Sequence, residues 1–412
     1  MKRLLLAVIS SICLLPAYAQ VNDPNQVAKD AATNQANNDM NNAAQNGVNK
    51  AENAVKSLFK KKNKNAQSSA ASGNSTDQKN DAVTNSTAPS LKAYANYDFI
   101  PGDKILFEDH FVDDQDGEFP SHWELEKGQG VVNKVNTMPA FFITEGNYAK
   151  VNPLIKNKSY LTDPFTIECD YMPNDGGYGI NIFFESKSEN GEERETFVNF
   201  NGSGAVSTGY FTHEFSNEYP DKNMADQDFR NKWHHVAIIY KNKQMKVYVD
   251  QYRVLVIPGL DFIPLTISVG GIASQEQPIV FKDFKIASGG NMNMQGKKFT
   301  DAKIITHGIN FDVDKSIIKP ESMGTINMIV QVMKDNPDLK FEIDGHTDNS
   351  GATAHNLLLS QQRADAVKAQ LISMGIDASR LTSKGFGDTK PISDNTSSEG
   401  KANNRRVEFV KM

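Results

Sequence analysis

From Tyr94 to Ala287 short apolar and β-branched runs alternate with turns of Gly, Asn, Asp and Pro, and no stretch shows a convincing helical period. The alternating runs predict strands at 166–172, 180–185, 196–200, 234–240, 245–250, 265–269 and 280–286. Short strands at this spacing predict an all-β jelly-roll sandwich, and about two hundred residues suit one large sandwich.

Past residue 299 the period changes. Residues 304–311 read as a strand. Pro320 opens a helix in which Ile326, Ile329, Val330 and Met333 share one face, and Asp335-Asn336-Pro337 stops it. Leu339, Phe341 and Ile343 alternate as a second strand. A longer helix carries Leu357, Ala364, Val367, Leu371 and Met374, with Gly375 placed to end it. Strands near 380–385 and 406–410 complete an α+β domain. The Gly/Asn/Met-rich stretch 288–299 has no pattern and reads as a connector.

The N-terminal fifth lacks either period. Lys2 and Arg3, the apolar run 4–15 and Ala17-Tyr18-Ala19 predict a secretory signal cleaved after Ala19. That run is too short to span a bilayer, so the mature chain is expected to carry no transmembrane segment. Ile12 precedes Cys13 where a lipoprotein signal wants a small residue, which argues against lipidation. Residues 20–92 are rich in Asn, Ala, Gln, Ser and Lys and bury too little apolar surface to offset ordering entropy. Val48, Ala51, Val55 and Leu58 fall at helical spacing and residues 60–64 are basic, but a solvated spacer is the simpler reading of both. The expected organisation is a signal peptide (1–19), a largely disordered low-complexity region (20–92), a β-sandwich (93–288), a linker (289–302) and an α+β domain (303–412).

The formal net charge is −6, two units more negative once Lys2 and Arg3 leave with the signal. An acidic chain is a poor nucleic-acid binder, so that class is set aside. Of the two cysteines only Cys169 survives cleavage, so packed cores rather than a disulfide must hold the exported protein. Cys169 shares a strand face with Phe165, Ile167 and Tyr171 and reads as a buried thiol.

Candidate chemistry concentrates near the C-terminus, in Gly345-His346-Thr347-Asp348-Asn349, Asn356, Leu359-Ser360 and Arg363-Ala364. A carboxylate after a strand and a guanidinium on the next helix suit a zwitterion: Asp348 can hold an ammonium and Arg363 a carboxylate. The free N–H groups at the start of that helix can meet the same carboxylate. The competing structural reading is a plain Asp348–Arg363 ion pair tying loop to helix. His346 is expected to stabilise the turn by hydrogen bonding rather than to bind a metal. No nucleophile, base or paired carboxylate accompanies the motif, and neither metal nor cofactor is expected.

These residues, with Asn404-Arg405-Arg406-Val407-Glu408, closely resemble the peptidoglycan-binding motif of the OmpA-like family over about 304–412. The resemblance implies a non-enzymatic cell-envelope protein of the periplasm or the periplasmic face of the outer membrane. It would be held to the wall through the diaminopimelate of a stem peptide. Carried over by position, Asp348 meets the ligand ammonium and Arg363 its carboxylate. Thr347, Asn349 and Leu359 line the pocket, Asn310, Phe311 and Asp312 form its rim, and Arg405 braces it.

In the middle domain Trp233-His234-His235 through Asp250 reads as a hairpin. With 107–111, Pro120-Ser121-His122-Trp123 and the closing strands at 269–286 it resembles laminin-G and concanavalin-like jelly rolls. That likeness implies a module recognising a glycan or a protein partner. Adjacent His234 and His235 face opposite sides and cannot chelate one metal. Glu168 and Asp170 share a strand face, so a wall-tethered glycan-cleaving enzyme is a second reading, weakened by the missing third acid. An outer-membrane barrel joined to a wall-binding domain is a third; charges such as Glu168, Asp170, Glu185 and Lys246 interrupt its lipid faces. The loops at 175–178 and 201–204 read as plain turns, with Tyr178 and Tyr210 the candidate sugar-stacking aromatics.

Overall fold

Among its described residues the middle domain has thirteen strands, and the seven predicted runs fall on seven of them. In chain order the thirteen open with β1 (Lys104–Asp109), β2 (Trp123–Val135), β3 (Met138–Pro153), β4 (Phe165–Met172), β5 (Ile180–Ser188), β6 (Glu193–Phe200) and β7 (Val206–Gly209). The remainder are β8 (Ser216–Asn217), β9 (His234–Lys241), β10 (Gln244–Val249), β11 (Tyr252–Ile257), β12 (Phe262–Ala273) and β13 (Ile279–Ser288). The computed structural model describes residues 91–412 apart from 92, 96, 189, 210–212, 221–225 and 291–298. The predicted signal, nearly all of the spacer with its helical run and basic cluster, Tyr210, and most of the connector therefore lie outside the described residues.

Pairing is antiparallel throughout this domain and follows the path β11-β10-β9-β4-β13-β3-β12-β5-β6-β7-β8, with β1 added on β13 and β2 on β3. The long strands β3 and β13 let the sheet fold over itself. β13 gives residues 279–281 to β3 and 284–288 to β1, with a bulge at Asp283 between. Inside lie Phe107, Phe111, Trp123, Phe141, Phe281 and Phe284 in edge-on and tilted contact, and Trp123 Nε1 donates to Asp109 Oδ2 at 2.9 Å. Phe165, Ile167, Cys169 and Tyr171 of β4 enter the same core, as their period requires. Burial pushes the Cys169 thiol well above its ordinary pKa. The fold is the predicted sandwich, and its interior is filled with side chains.

The C-terminal domain runs β14 (Lys303–Thr306), α1 (Met323–Asp335), β15 (Phe341–His346), α2 (Thr353–Ser373), β16 (Leu381–Gly387), α3 (Ser398–Asn404) and β17 (Arg406–Lys411). Its sheet order is β14-β17-β15-β16, with β15 and β16 parallel. Pro320 starts a turn of 3-10 helix that leads into α1, and Ile326, Ile329, Val330 and Met333 are buried as predicted. Gly375, at φ 94°, closes α2: its N–H reaches Ile372 O and Ile376 N–H reaches Leu371 O, which satisfies the last carbonyls. Two expectations are corrected. The strand predicted over 304–311 stops at Thr306, and Phe311 instead forms an isolated bridge with Ile318. Helix α3 was not predicted; Ser397 caps it by accepting from Gly400 N, but its polar sequence shows no apolar face.

Both domains belong to one compact unit and share a core. Tyr94, Tyr97 and Phe99, which precede β1, wedge between Ala237, Ile239 and Tyr248 of the sandwich and the cluster around Met323 and Ile326. Tyr97 and Phe99 lie 5.5 and 5.4 Å from Tyr248, ring to ring, and Asn327 Nδ2 donates to Ala95 O and Tyr97 O. Beside this apolar wedge runs a row of charges. His235 Nδ1 meets Asp170 Oδ1 at 2.9 Å, and Lys282 Nζ donates to Asp170 Oδ2 at 2.8 Å. Lys319, from the C-terminal domain, reaches Asp170, Asp283 and Glu321 at 3.8, 3.7 and 3.1 Å. Lys285 pairs with Glu168 at 3.5 Å and donates to Asn310 Oδ1. Burying ions costs free energy unless each finds partners, and here each does.

Candidate functional site

Strand β15 ends in His346, and the chain turns through Thr347, Asp348 and Asn349 into Gly351 before α2 begins. Helix α2 lies close against the sheet because glycines face it. A Cβ on Gly345 would sit 2.3 Å from Ser360 O, and one on Gly385 2.3 Å from Gln361 N. That close approach brings the β15–α2 loop and the first turns of α2 together. Ala352 occupies the N-cap position of α2 and offers no side-chain cap to the first-turn N–H groups.

Asp348 is buried. Its Oδ1 accepts from Ser350 N at 2.8 Å and its Oδ2 is held by Arg405. Burial works against its charge, but the Ser350 N–H and Arg405 outweigh that and hold the carboxyl below its ordinary pKa. Arg363 does not meet Asp348. Its Nε donates to Lys315 O at 2.9 Å, one Nη donates to Asp312 O at 3.3 Å, and the guanidinium lies 5.0 Å over the Phe311 ring. Among the described residues no carboxylate pairs with Arg363, so the plain Asp348–Arg363 ion pair is not what the fold makes. Burial lowers the Arg363 pKa to about 10, so the group remains a cation at neutral pH.

The other predicted residues divide into three groups. Thr347 is buried, with its N–H on Gly387 O and its hydroxyl without a partner, and Leu359 is buried on α2. Asn349 is exposed and takes Asn395 Oδ1 on its N–H. Phe311 and Asp312 belong to the hairpin under Arg363, whereas Asn310 turns its side chain toward Lys285 of the sandwich. Arg405, at the end of α3, bridges Asp348 and Glu108 of β1. Glu108 was missed in the sequence because nothing local distinguishes it from any strand-edge carboxylate.

His346 is corrected. Neither ring nitrogen has a hydrogen-bond partner; the ring stacks on Phe386 at 5.3 Å, and burial with nearby Arg406 lowers its pKa to about 4. It lies near Asp344 and Glu408, a group close enough to hold a metal ion. The two Glu408 oxygens are already held by Arg406 Nε and Lys303 Nζ, each at 2.7 Å, so resident cations meet that charge. On the sandwich, Glu168 and Asp170 face the C-terminal domain and are paired with Lys285, Lys282, Lys319 and His235. Both carboxylates are buried. His234 and His235 do diverge: His234 stacks on Phe229 inside the sandwich and bonds Asp250. Asn201 Oδ1 accepts from Ser203 N, Ser203 Oγ and Ala205 N, the pattern of a plain turn. Tyr178 is 63% exposed.

The C-terminal architecture is that of an α+β module whose strand-loop-helix presents Asp348 and Arg363 unpaired with each other. Residues 310–405 match the OmpA family, and residues 144–255 match the Concanavalin A-like lectin/glucanases superfamily. The chain thus carries an OmpA-family domain behind a concanavalin-like sandwich. Over 100 residues it is 44% identical to outer membrane porin F of Pseudomonas fluorescens, covering 24% of this chain and 31% of that protein. Over 104 residues it is 41% identical to the probable lipoprotein YiaD of Escherichia coli (strain K12), covering 25% and 48%. Over 102 residues it is 36% identical to the peptidoglycan-binding protein ArfA of Mycobacterium bovis, covering 25% and 31%. The chain therefore spans about a third to a half of the length of these relatives. Among the described residues no helix is long and apolar enough to cross a membrane, which says nothing of a β-barrel.

Proposed function

We propose that this chain is a non-enzymatic protein of the cell envelope that grips peptidoglycan without a covalent bond, through the diaminopimelate of a stem peptide. Asp348 takes the ligand ammonium, and Arg363 with the uncapped start of α2 takes its carboxylate. Thr347, Asn349 and Leu359 line the pocket, and Asn310, Phe311 and Asp312 shape the rim, where the Asn310 side chain also accepts from Lys285. The sandwich recognises a glycan or protein partner, and the protein works on the periplasmic face of the outer membrane after export. The carrying observation is that Asp348 and Arg363, adjacent through one loop and one helix, are not paired with each other. A relative bearing the name peptidoglycan-binding protein, 36% identical over 102 residues, supports the reading. The non-enzymatic part rests on the burial of Glu168 and Asp170 against the second domain.

The test is co-sedimentation of the full chain with purified peptidoglycan sacculi. Wild type should pellet, and folded Asp348→Ala and Arg363→Ala should stay in the supernatant. Equal pelleting of all three would remove the site; no pelleting at all would remove the function.

A further inference from the structure

Glu108 belongs to the sandwich, yet it reaches the pocket of the other domain. Strand β1 carries it there and is fixed from both sides. One edge pairs with β13, and on the other the Asn403 side chain of α3 accepts from Ile105 N at 3.0 Å and donates to Ile105 O at 2.9 Å, as a strand would. Arg405 follows directly after α3. One of its Nη atoms holds Glu108 and the other holds Asp348. Its single charge is thus divided between two carboxylates, one buried and one half-buried. His110, the nearest other cation to Glu108 at 3.5 Å, is held more closely by Asp283 at 2.7 Å.

From this we infer that the sandwich is part of the wall-binding site: Glu108 draws Arg405 partly off Asp348 and so leaves Asp348 enough unmet charge to attract a ligand ammonium. The inference rests on the proposed role of Asp348. A guanidinium given wholly to Asp348 forms a two-bond pair that an incoming ammonium must break. Glu108 is a positioning residue: it acts through Arg405 and touches no ligand.

A Glu108 that shares the charge of Arg405 and one that merely braces the loop differ in outcome. Glu108→Gln keeps the size and one hydrogen bond but releases Arg405 to Asp348. In the full chain its apparent affinity for sacculi should fall about tenfold or more, the scale of one close charge contact. Glu108→Asp keeps the competing carboxylate, and its binding should stay within about threefold of wild type. Circular dichroism of each variant establishes that it is folded. If Glu108→Gln fails to fold, Glu108→Met removes the same charge and is read in its place. Wild-type binding by the uncharged variant, or a Glu108→Asp variant that binds no better than it, overturns the inference while Asp348→Ala still loses binding. If Asp348→Ala also binds like wild type, the wall-site reading falls and this inference falls with it.

Discussion

Gly324→Ala has opposite consequences in the domain alone and in the whole chain, which makes it a sharp probe of the shared core. Gly324 lies in the first turn of α1, and alanine in a helix is favoured over glycine by about 1 kcal/mol. Read from the helix alone, the substitution stabilises. In the structure, however, the added Cβ would lie 1.7 Å from Phe99 O and 2.8 Å from Phe99 C. Ordinary contact begins at 3.4 Å, so the Phe99 carbonyl must retreat by about 1.7 Å. It is main chain and has no rotamer to change. Its neighbours Tyr97 and Ala95 accept from Asn327 on the same helix, so moving the segment strains two hydrogen bonds and unseats Tyr97 and Phe99 from Tyr248. Each lost hydrogen bond costs about 1 kcal/mol and overpacking about 1–3 kcal/mol, so a net loss of about 2–4 kcal/mol should outweigh the helix preference. Urea unfolding of the full chain should show a clearly lower midpoint. In a chain starting at Asp103, which lacks the aromatic segment, the same substitution should raise the midpoint or leave it unchanged. A raised midpoint in the full chain would mean that Phe99 does not pack on α1.

Three further outcomes follow from the buried charges and the buried thiol. His110 and His235 have their pKa values raised to about 9 and about 10: burial opposes this, and their carboxylate partners outweigh it. Their stabilisation is complete below about pH 6.5 and fades as pH climbs toward 9–10, so the urea midpoint should fall between pH 6.5 and 9; a flat or rising midpoint would contradict the pairing. Glu108 and Asp283 are held well below ordinary carboxylate values, so their contribution is complete above about pH 4.5 and drains away below it. Acid titration should therefore unfold or separate the domains at a pH below 4.5, and Glu108→Gln should soften that transition. Cys169 should ignore a thiol reagent in native buffer and react fully in urea, and rapid native labelling would place it outside the core.

Seven of the thirteen described sandwich strands and the two long helices of the C-terminal domain were legible because their buried faces keep a period. Phe165, Ile167, Cys169 and Tyr171 read as one face and are one face. The long strand β3 was not legible: its Gly146 and the polar stretch around Glu145 and Asn147 interrupt the alternation where it changes partners. The hidden feature was what the polar faces do. Glu168, Asp170, Lys282 and Lys285 alternate with apolar residues as solvent-facing positions should, but a second domain covers them. Period gives the two sides of a strand and cannot name what lies across the second side. The same holds at the site. Asp348 and Arg363 were found from local spacing, whereas Glu108, 297 residues from Arg405, leaves no local trace.

The two halves of the domain contact divide the work between adhesion and register. The aromatic segment with Tyr248 and α1 supplies apolar burial, worth about 1.5–3 kcal/mol for each large side chain removed from water. Apolar surfaces alone tolerate sliding. The charged row does not: Lys319 sits between Asp170, Asp283 and Glu321, and a shift of one strand residue, about 3.3 Å, would strip it of two partners and leave buried carboxylates unpaired. Such pairs add little net stability, yet they penalise every wrong alignment severely. Alignment is what the Glu108–Arg405–Asp348 chain requires, because a guanidinium can be shared by two carboxylates only when both lie in hydrogen-bond reach. The ionic row thus fixes the docking that brings Glu108 to Arg405.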